Sequence, residues 1–165
     1  MLGIVRGHSF RLDVMVLEHN DRLVRVDVTS SEASGTYAVE DAFELEMPTR
    51  VLGLDEAGEW LMMIADNEGV DHPVVSQMSM SRSLQGLAFV DEWCISVRKK
   101  RMSQLLLVHE MAHLVCANGG HGREFRTQVV TFVRRYVSLA HAVRLHEMYL
   151  AAGLSIEPFA ATNNY

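Results

Sequence analysis

The chain has 165 residues, 48% of them apolar and 22% charged, a balance that fits one folded domain with its own core and excludes a disordered chain. No run approaches the roughly 18 consecutive apolar residues of a membrane span. The opening Met1-Leu2-Gly3-Ile4-Val5-Arg6 lacks the basic, apolar and small-residue order of a secretion signal, so the chain reads as cytoplasmic. A net charge of −6 argues against a dominant phosphate-binding surface.

The first third reads as β. Phe10 to Glu18 and Arg22 to Thr29 are apolar-rich runs separated by the turn-forming triplet His19-Asn20-Asp21. Val24, Val26 and Val28 alternate with Arg25 and Asp27, as in a strand with one wet face. Ser30 to Gly35 is small and polar and predicts a loop, whereas Tyr37 to Glu46 fits strand and helix equally. Residues 1–47 thus read as a β-rich portion of unassigned role within a single domain.

Pro48 begins a new unit. Asp55 is the expected helix cap, and Leu61, Met62, Ile64 and Ala65 continue a helical pattern that fades at Asn67-Glu68-Gly69. Val74 to Met80 predicts a strand, Ser81-Arg82-Ser83 a turn, and Gly86 to Glu92 and Cys94 to Arg98 two extended segments. Gly86 and Ala88 share one face, where small residues either admit a substrate backbone or relieve crowding inside the sheet. Arg98-Lys99-Lys100-Arg101 reads as a solvated loop, with an acidic partner as the alternative.

Ser103 is the expected N-cap of the next helix, which carries His109-Glu110-Met111-Ala112-His113. Residues four apart on a helix differ by about 40° around its axis, so both imidazoles can reach one metal, while Glu110 projects from the same edge. Leu107, Val108, Met111, Leu114 and Val115 form an apolar back. Asn118-Gly119-Gly120 then allows a reversal that brings His121 toward the first two histidines. Beyond it, Phe125, Val129, Phe132, Val133 and Tyr136, then Leu139, Val143, Leu145, Met148 and Tyr149, repeat at helix spacing up to Gly153. Ser138 either starts a second helix or lies inside one long one, and Thr162 to Tyr165 is a polar tail.

A catalytic zinc site takes three protein ligands and keeps one position for water. His109 and His113 provide two, and the candidates for the third rank His121, Glu124, Cys116. Glu124 suits better the role of a first-turn acid at the next helix's positive end, and Cys116 that of a buried thiol. With Cys94 as the second of only two cysteines, neither a disulfide framework nor a four-cysteine zinc ribbon is available. Glu110 is placed to act as general base on a zinc-bound water. Arg123, Tyr136 and Tyr149 are chemically suited to steady an oxyanion, though structural roles suit each of them better. His8, His19, His72, His141 and His146 read as surface or packing residues.

These motifs resemble those of the zincin metallopeptidases, and among them the small single-domain type in which HExxH is followed by His-Gly-x-x-Phe, here His121-Gly122-Arg123-Glu124-Phe125. The SprT-like and WLM peptidases share that pattern, and a closer likeness is to metallohydrolases of actinobacteria and their phages. The likeness spans about Pro48 to Leu154 and takes in Gly86-x-Ala88 and Ile95-Ser96-Val97. It implies a zincin-like α+β domain in which a twisted mixed sheet packs on the metal helix, followed by a helical C-terminal part. It also implies zinc on His109, His113 and His121, catalysis by Glu110, and a protein or peptide substrate. The acidic balance and the missing zinc ribbon do not carry over repair of DNA–protein crosslinks. Two other classes compete: a binding protein in which zinc only staples the 119–120 loop, and a nucleic-acid-associated protein using residues 98–101.

Overall fold

A short antiparallel hairpin opens the chain in the computed structural model, which describes residues 13–17, 23–27, 31–116 and 120–159. Its strands β1 (Asp13–Leu17) and β2 (Leu23–Asp27) pair Val14 with Val26 and Val16 with Val24. The expected turn at 19–21, together with His8, His19, Asn118-Gly119 and the polar tail, lies outside the described residues.

The expectation of a loop at residues 30–35 is overturned. Ser31–Glu46 is one 16-residue helix, α1, and it also settles Tyr37 to Glu46 as helical. Its buried positions are Ala33, Thr36, Val39, Glu40 and Phe43, a proper helical spacing that includes two polar residues. Gly35 lies within this helix because a Cβ there would stand 3.0 Å from the Leu154 side chain, and the segment after the last helix crosses at that point. Among the described residues before Pro48 the helix is longer than the two strands together, so this portion is not β-rich throughout.

Strand β3 (Val51–Gly53) leads directly into α2 (Leu54–Glu68), whose N-cap is Gly53; Asp55, expected there, lies inside the first turn with Glu56, where both favour the helix's positive end. Gly69 ends α2 in the left-handed conformation (φ 67°) and donates its N–H to the Asp66 carbonyl at 3.3 Å. Then come β4 (Val74–Gln77), β5 (Gly86–Phe89) and β6 (Cys94–Val97), in the spatial order β4-β6-β5, with β4 parallel and β5 antiparallel to β6. Both β4 and β5 are shorter than their apolar runs suggested. Met78 and Met80 leave the sheet to pack on Leu84, and Val90 to Trp93 form a turn in which Trp93 takes a positive φ of 50°. The Trp93 indole N–H donates to the Asp71 carbonyl at 2.5 Å and holds that turn.

β7 (Arg101–Ser103) pairs antiparallel with β3 and runs straight into α3 (Gln104–Val115), which packs against β5. Ser103 is the N-cap as expected, its hydroxyl accepting the Leu106 N–H at 3.2 Å. After His121 the chain forms α4 (Arg123–Phe132), a π-helical turn over Val133–Val137, and α5 (Leu139–Ala151). Ser138 starts a second helix: its N–H reaches back to the Val133 carbonyl at 2.9 Å, while its hydroxyl caps α5 by accepting the His141 N–H at 3.1 Å. One core joins Phe43, Leu61, Ile64, Ile95, Leu107, Met111, Phe125, Phe132 and Leu145. The architecture is α+β, with a small mixed sheet on one side of α3 and helices on the other. Among the described residues no helix is long and apolar enough to cross a membrane.

Because the Ser138 hydroxyl serves an otherwise unpaired helix-end N–H, Ser138→Ala should cost about 1 kcal/mol. In a chain of this size that lowers the melting temperature by about 2–4 °C. Urea denaturation of the two proteins checks it, and equal midpoints would mean that the cap contributes nothing.

Candidate metal centre

Two turns of α3 and the loop before α4 meet at a single point. The Nε2 atoms of His109, His113 and His121 form a triangle with every side 3.2 Å. The Phe125 ring lies against all three imidazoles, at centroid distances of 4.8, 4.3 and 4.8 Å. It follows the third histidine by four residues and packs onto the helix that carries the first two. On the other side Tyr37 of α1 stacks on His109 at 5.2 Å and lies tilted against His121 at 4.8 Å.

Two of the three histidines are held from outside the cluster. His109 donates its Nδ1–H to Glu40 at 2.7 Å, and the other Glu40 oxygen accepts the Tyr149 hydroxyl at 2.6 Å. With its proton engaged at Nδ1, the imidazole presents the bare Nε2 lone pair to the centre of the triangle. His121 is tied through its backbone: its carbonyl accepts from the fully buried Arg126 and, at 3.4 Å, from the Thr36 hydroxyl. Arg126 also donates to the Ser155 carbonyl at 2.9 Å and hydroxyl at 3.1 Å, and to Glu32 at 3.3 Å.

Burial, and after it the neighbouring His109, pulls His113 down to about 2 and His121 down to about 4, so both are neutral at ordinary pH. In His109 burial also opposes the charged form, but the Glu40 charge and hydrogen bond outweigh it and the direction is upward. Burial raises the Tyr37 phenol well beyond its usual range, and Glu110 and Glu40 add to that.

Three imidazole nitrogens turned toward one point suit a single cation. A tetrahedral ion bound at 2.0–2.1 Å holds its nitrogen ligands about 3.3 Å apart, close to the spacing these side chains already have. His109, His113 and His121 are therefore close enough to hold one metal ion, and no Cys, Asp or Glu joins the group among the described residues. The other two candidates for the third ligand fall away. The helix ends at Val115 and Cys116 turns into extended backbone (φ −86°, ψ 119°), so it does not share the histidine face. Glu124 is an exposed acid in the first turn of α4.

Glu110 is buried on the sheet side of α3. A Cβ on Gly86 would stand 2.6 Å from its Oε1 and 3.0 Å from its Cγ, so the missing side chain of Gly86 is the space that Glu110 fills. Burial pushes the carboxyl up to about 7; His109 opposes that, Glu40 adds to it, and the backbone N–H of Ala88 opposes it. Of the two readings of the small residues, relief of crowding thus holds at Gly86, and the crowding group is Glu110. The apolar back of α3 is present, but the opposite side is buried as well: this helix lies inside the protein instead of bordering solvent.

None of the three suggested oxyanion partners faces the cluster. Arg123 pairs with Glu157 at 2.7 Å on the surface, Tyr136 donates to Glu68 at 2.5 Å, and Tyr149 is engaged with Glu40. His72 meets Asp66, His141 meets Ser138, and His146 meets the Glu157 carbonyl, all outside the triangle. The sequence reading missed Tyr37 and Glu40. Their spacing of three, one residue toward the rings and one behind them, becomes a signal only once α1 is known to be helical. Beside His109 opens a cleft of about 600 Å³ between α1 and the 82–86 and 99–106 segments.

No family model, curated protein or solved structure matches this chain.

Since Glu40 sets the orientation and tautomer of His109, Glu40→Gln should weaken zinc or cobalt(II) binding by about 10–100-fold. Competition with a chromophoric chelator reads this directly. An unchanged affinity would show that the carboxylate does not orient the ring.

Proposed function

We propose that the chain is a zinc-dependent metallopeptidase of the small zincin type, with His109, His113 and His121 as ligands and Glu110 as general base. The observation that carries this reading is a buried carboxylate on the helix turn that holds two of three converging imidazoles, with no fourth protein ligand among the described residues. A purely structural zinc site normally closes its fourth position with a protein side chain and has no use for an adjacent carboxylate. A set of three imidazoles suits zinc, copper, iron and nickel alike, and the choice of zinc follows the resemblance to hydrolases.

Zinc, when bound, supplies Lewis acidity toward water and toward the carbonyl under attack. Glu110 accepts the proton of the attacking water and returns it to the departing nitrogen. Burial raises this carboxyl, which favours the protonated form it needs when it returns the proton. The Tyr37 phenol keeps its proton, so toward an anion it acts only as a hydrogen-bond donor, and it lines the cleft beside His109. Among the described residues β5 is an edge strand, paired with β6 alone, and the Ala88 N–H is turned to Glu110. Its unpaired edge thus runs past the carboxylate, a suitable path for an extended peptide.

Glu110→Gln should retain metal content and fold while peptide hydrolysis falls by about 10²–10⁴-fold. Metal analysis beside a fluorogenic peptide assay tests this, and full activity in that variant would remove Glu110 from the mechanism. In Gly86→Ala the new methyl must displace the Glu110 side chain, so kcat should fall at unaltered metal content. Wild-type kcat in this variant would contradict a tightly positioned base.

A further inference from the structure

We infer that the cleft beside His109 selects an acidic side chain, Asp or Glu, of a bound peptide, and that Arg82, Lys99 and Arg101 are the residues that recognise it. The inference rests on the hydrolase reading only for the kind of molecule that enters.

The two walls of the cleft differ in charge. From α1 come Glu40, Asp41 and Glu44, and from the facing segments come Arg82, Lys99 and Arg101. Two of the carboxylates are engaged within the protein. Glu40 lies between His109 and Tyr149, and Glu44 accepts the Thr49 N–H at 3.1 Å and its hydroxyl at 2.5 Å. The cations have no such partners: Arg82, Lys99 and Arg101 form no ion pair among the described residues, while Arg50, Arg123, Arg126, Arg135 and Arg144 all do. In a chain of net charge −6, three exposed cations without an ion-pair partner therefore border one cleft and are open to an anion that enters it.

Tertiary structure creates this group. The antiparallel pairing of β5 with β6 is extended by Arg98, whose N–H donates to the Gln85 carbonyl at 2.9 Å and whose guanidinium donates to the Gln85 side chain at 3.0 Å. That link lays the 82–85 segment beside residues 99–101. Lys100, in the same basic run, is exposed but does not line the cleft. Guanidinium groups accept a carboxylate through paired N–H donors, and the lysine adds a mobile point charge. Asp41 on the facing wall makes a doubly charged phosphate a poorer occupant than a singly charged carboxylate.

The test is equilibrium binding to the zinc-loaded Glu110→Gln protein, read by fluorescence anisotropy of labelled octapeptides that carry Glu, Gln or Lys at one central position. The Glu peptide should bind about tenfold more tightly than its Gln counterpart, the scale of a few partly screened ion pairs acting together. The ratio should shrink toward one in about 1 M salt. It should also fall to about one when Arg82→Gln, Lys99→Gln and Arg101→Gln are combined, and persist in Lys100→Gln. Equal or undetectable binding of the Glu peptide overturns the inference, as does a ratio that survives the triple substitution. Retention of a duplex oligonucleotide that the triple substitution abolishes overturns it in favour of nucleic acid. Selective binding without cleavage by the zinc-loaded wild type would sink the hydrolase reading and leave the cleft assignment standing. Cleavage without acidic preference would do the reverse.

Discussion

Three basic nitrogens 3.2 Å apart turn their lone pairs on one another, and a buried site has little water to relax that arrangement. The cluster therefore depends on the tethers behind His109 and His121, and much of the architecture can be understood as the means of placing them. The chain Tyr149–Glu40–His109 joins α5, α1 and α3 by two short hydrogen bonds, and both Glu40 oxygens are satisfied. A buried polar network of this kind is stabilising only when complete, because a lost partner leaves a desolvated charge. Helix α1 is thus as much a part of the centre as the helix that carries the motif.

The third histidine poses a different problem, since it sits on a loop. Its ring is positioned through its backbone by Arg126, a guanidinium with no exposure to solvent. Burying an arginine is unfavourable unless its donors are used, and here they reach the His121 carbonyl, Thr36, Ser155 and Glu32. The same residue ties the segment after α5 to the start of α1. Gly35, which lets Leu154 approach α1, belongs to this arrangement.

On the sheet side the constraint is space. Helix α3 lies close enough to β5 that Glu110 occupies the volume a side chain at position 86 would take. The carboxylate is thereby held between the strand and the His cluster, and the Ala88 N–H fixes its direction. The close approach also explains why α3 is buried nearly all round, contrary to the half-exposed helix its pattern suggests. The 82–86 and 99–101 segments are carried to the cleft by the same strand pairing, so the placement of Glu110 and the charge of the cleft share one structural cause.

Much of the fold was legible where local periodicity governs. Ser103 and Ser138 cap the helices that follow them, the valine alternation pairs in β1 and β2, and the spacing of His109 and His113 places both on one edge of α3. These features follow from backbone geometry over a few residues. Helix α1 escaped because its buried face carries Thr36 and Glu40, which a search for apolar periodicity counts as solvent-facing. The choice between His121 and Cys116 turned on where α3 ends, a matter of one residue, and Glu124 was set aside by its exposed place on α4. The sequence by itself determined which residues could share a helix edge and which serine caps the helix that carries them. Only the tertiary structure decided which groups stand behind the rings, because a hydrogen bond between positions 40 and 109 has no local period and leaves no trace along the chain.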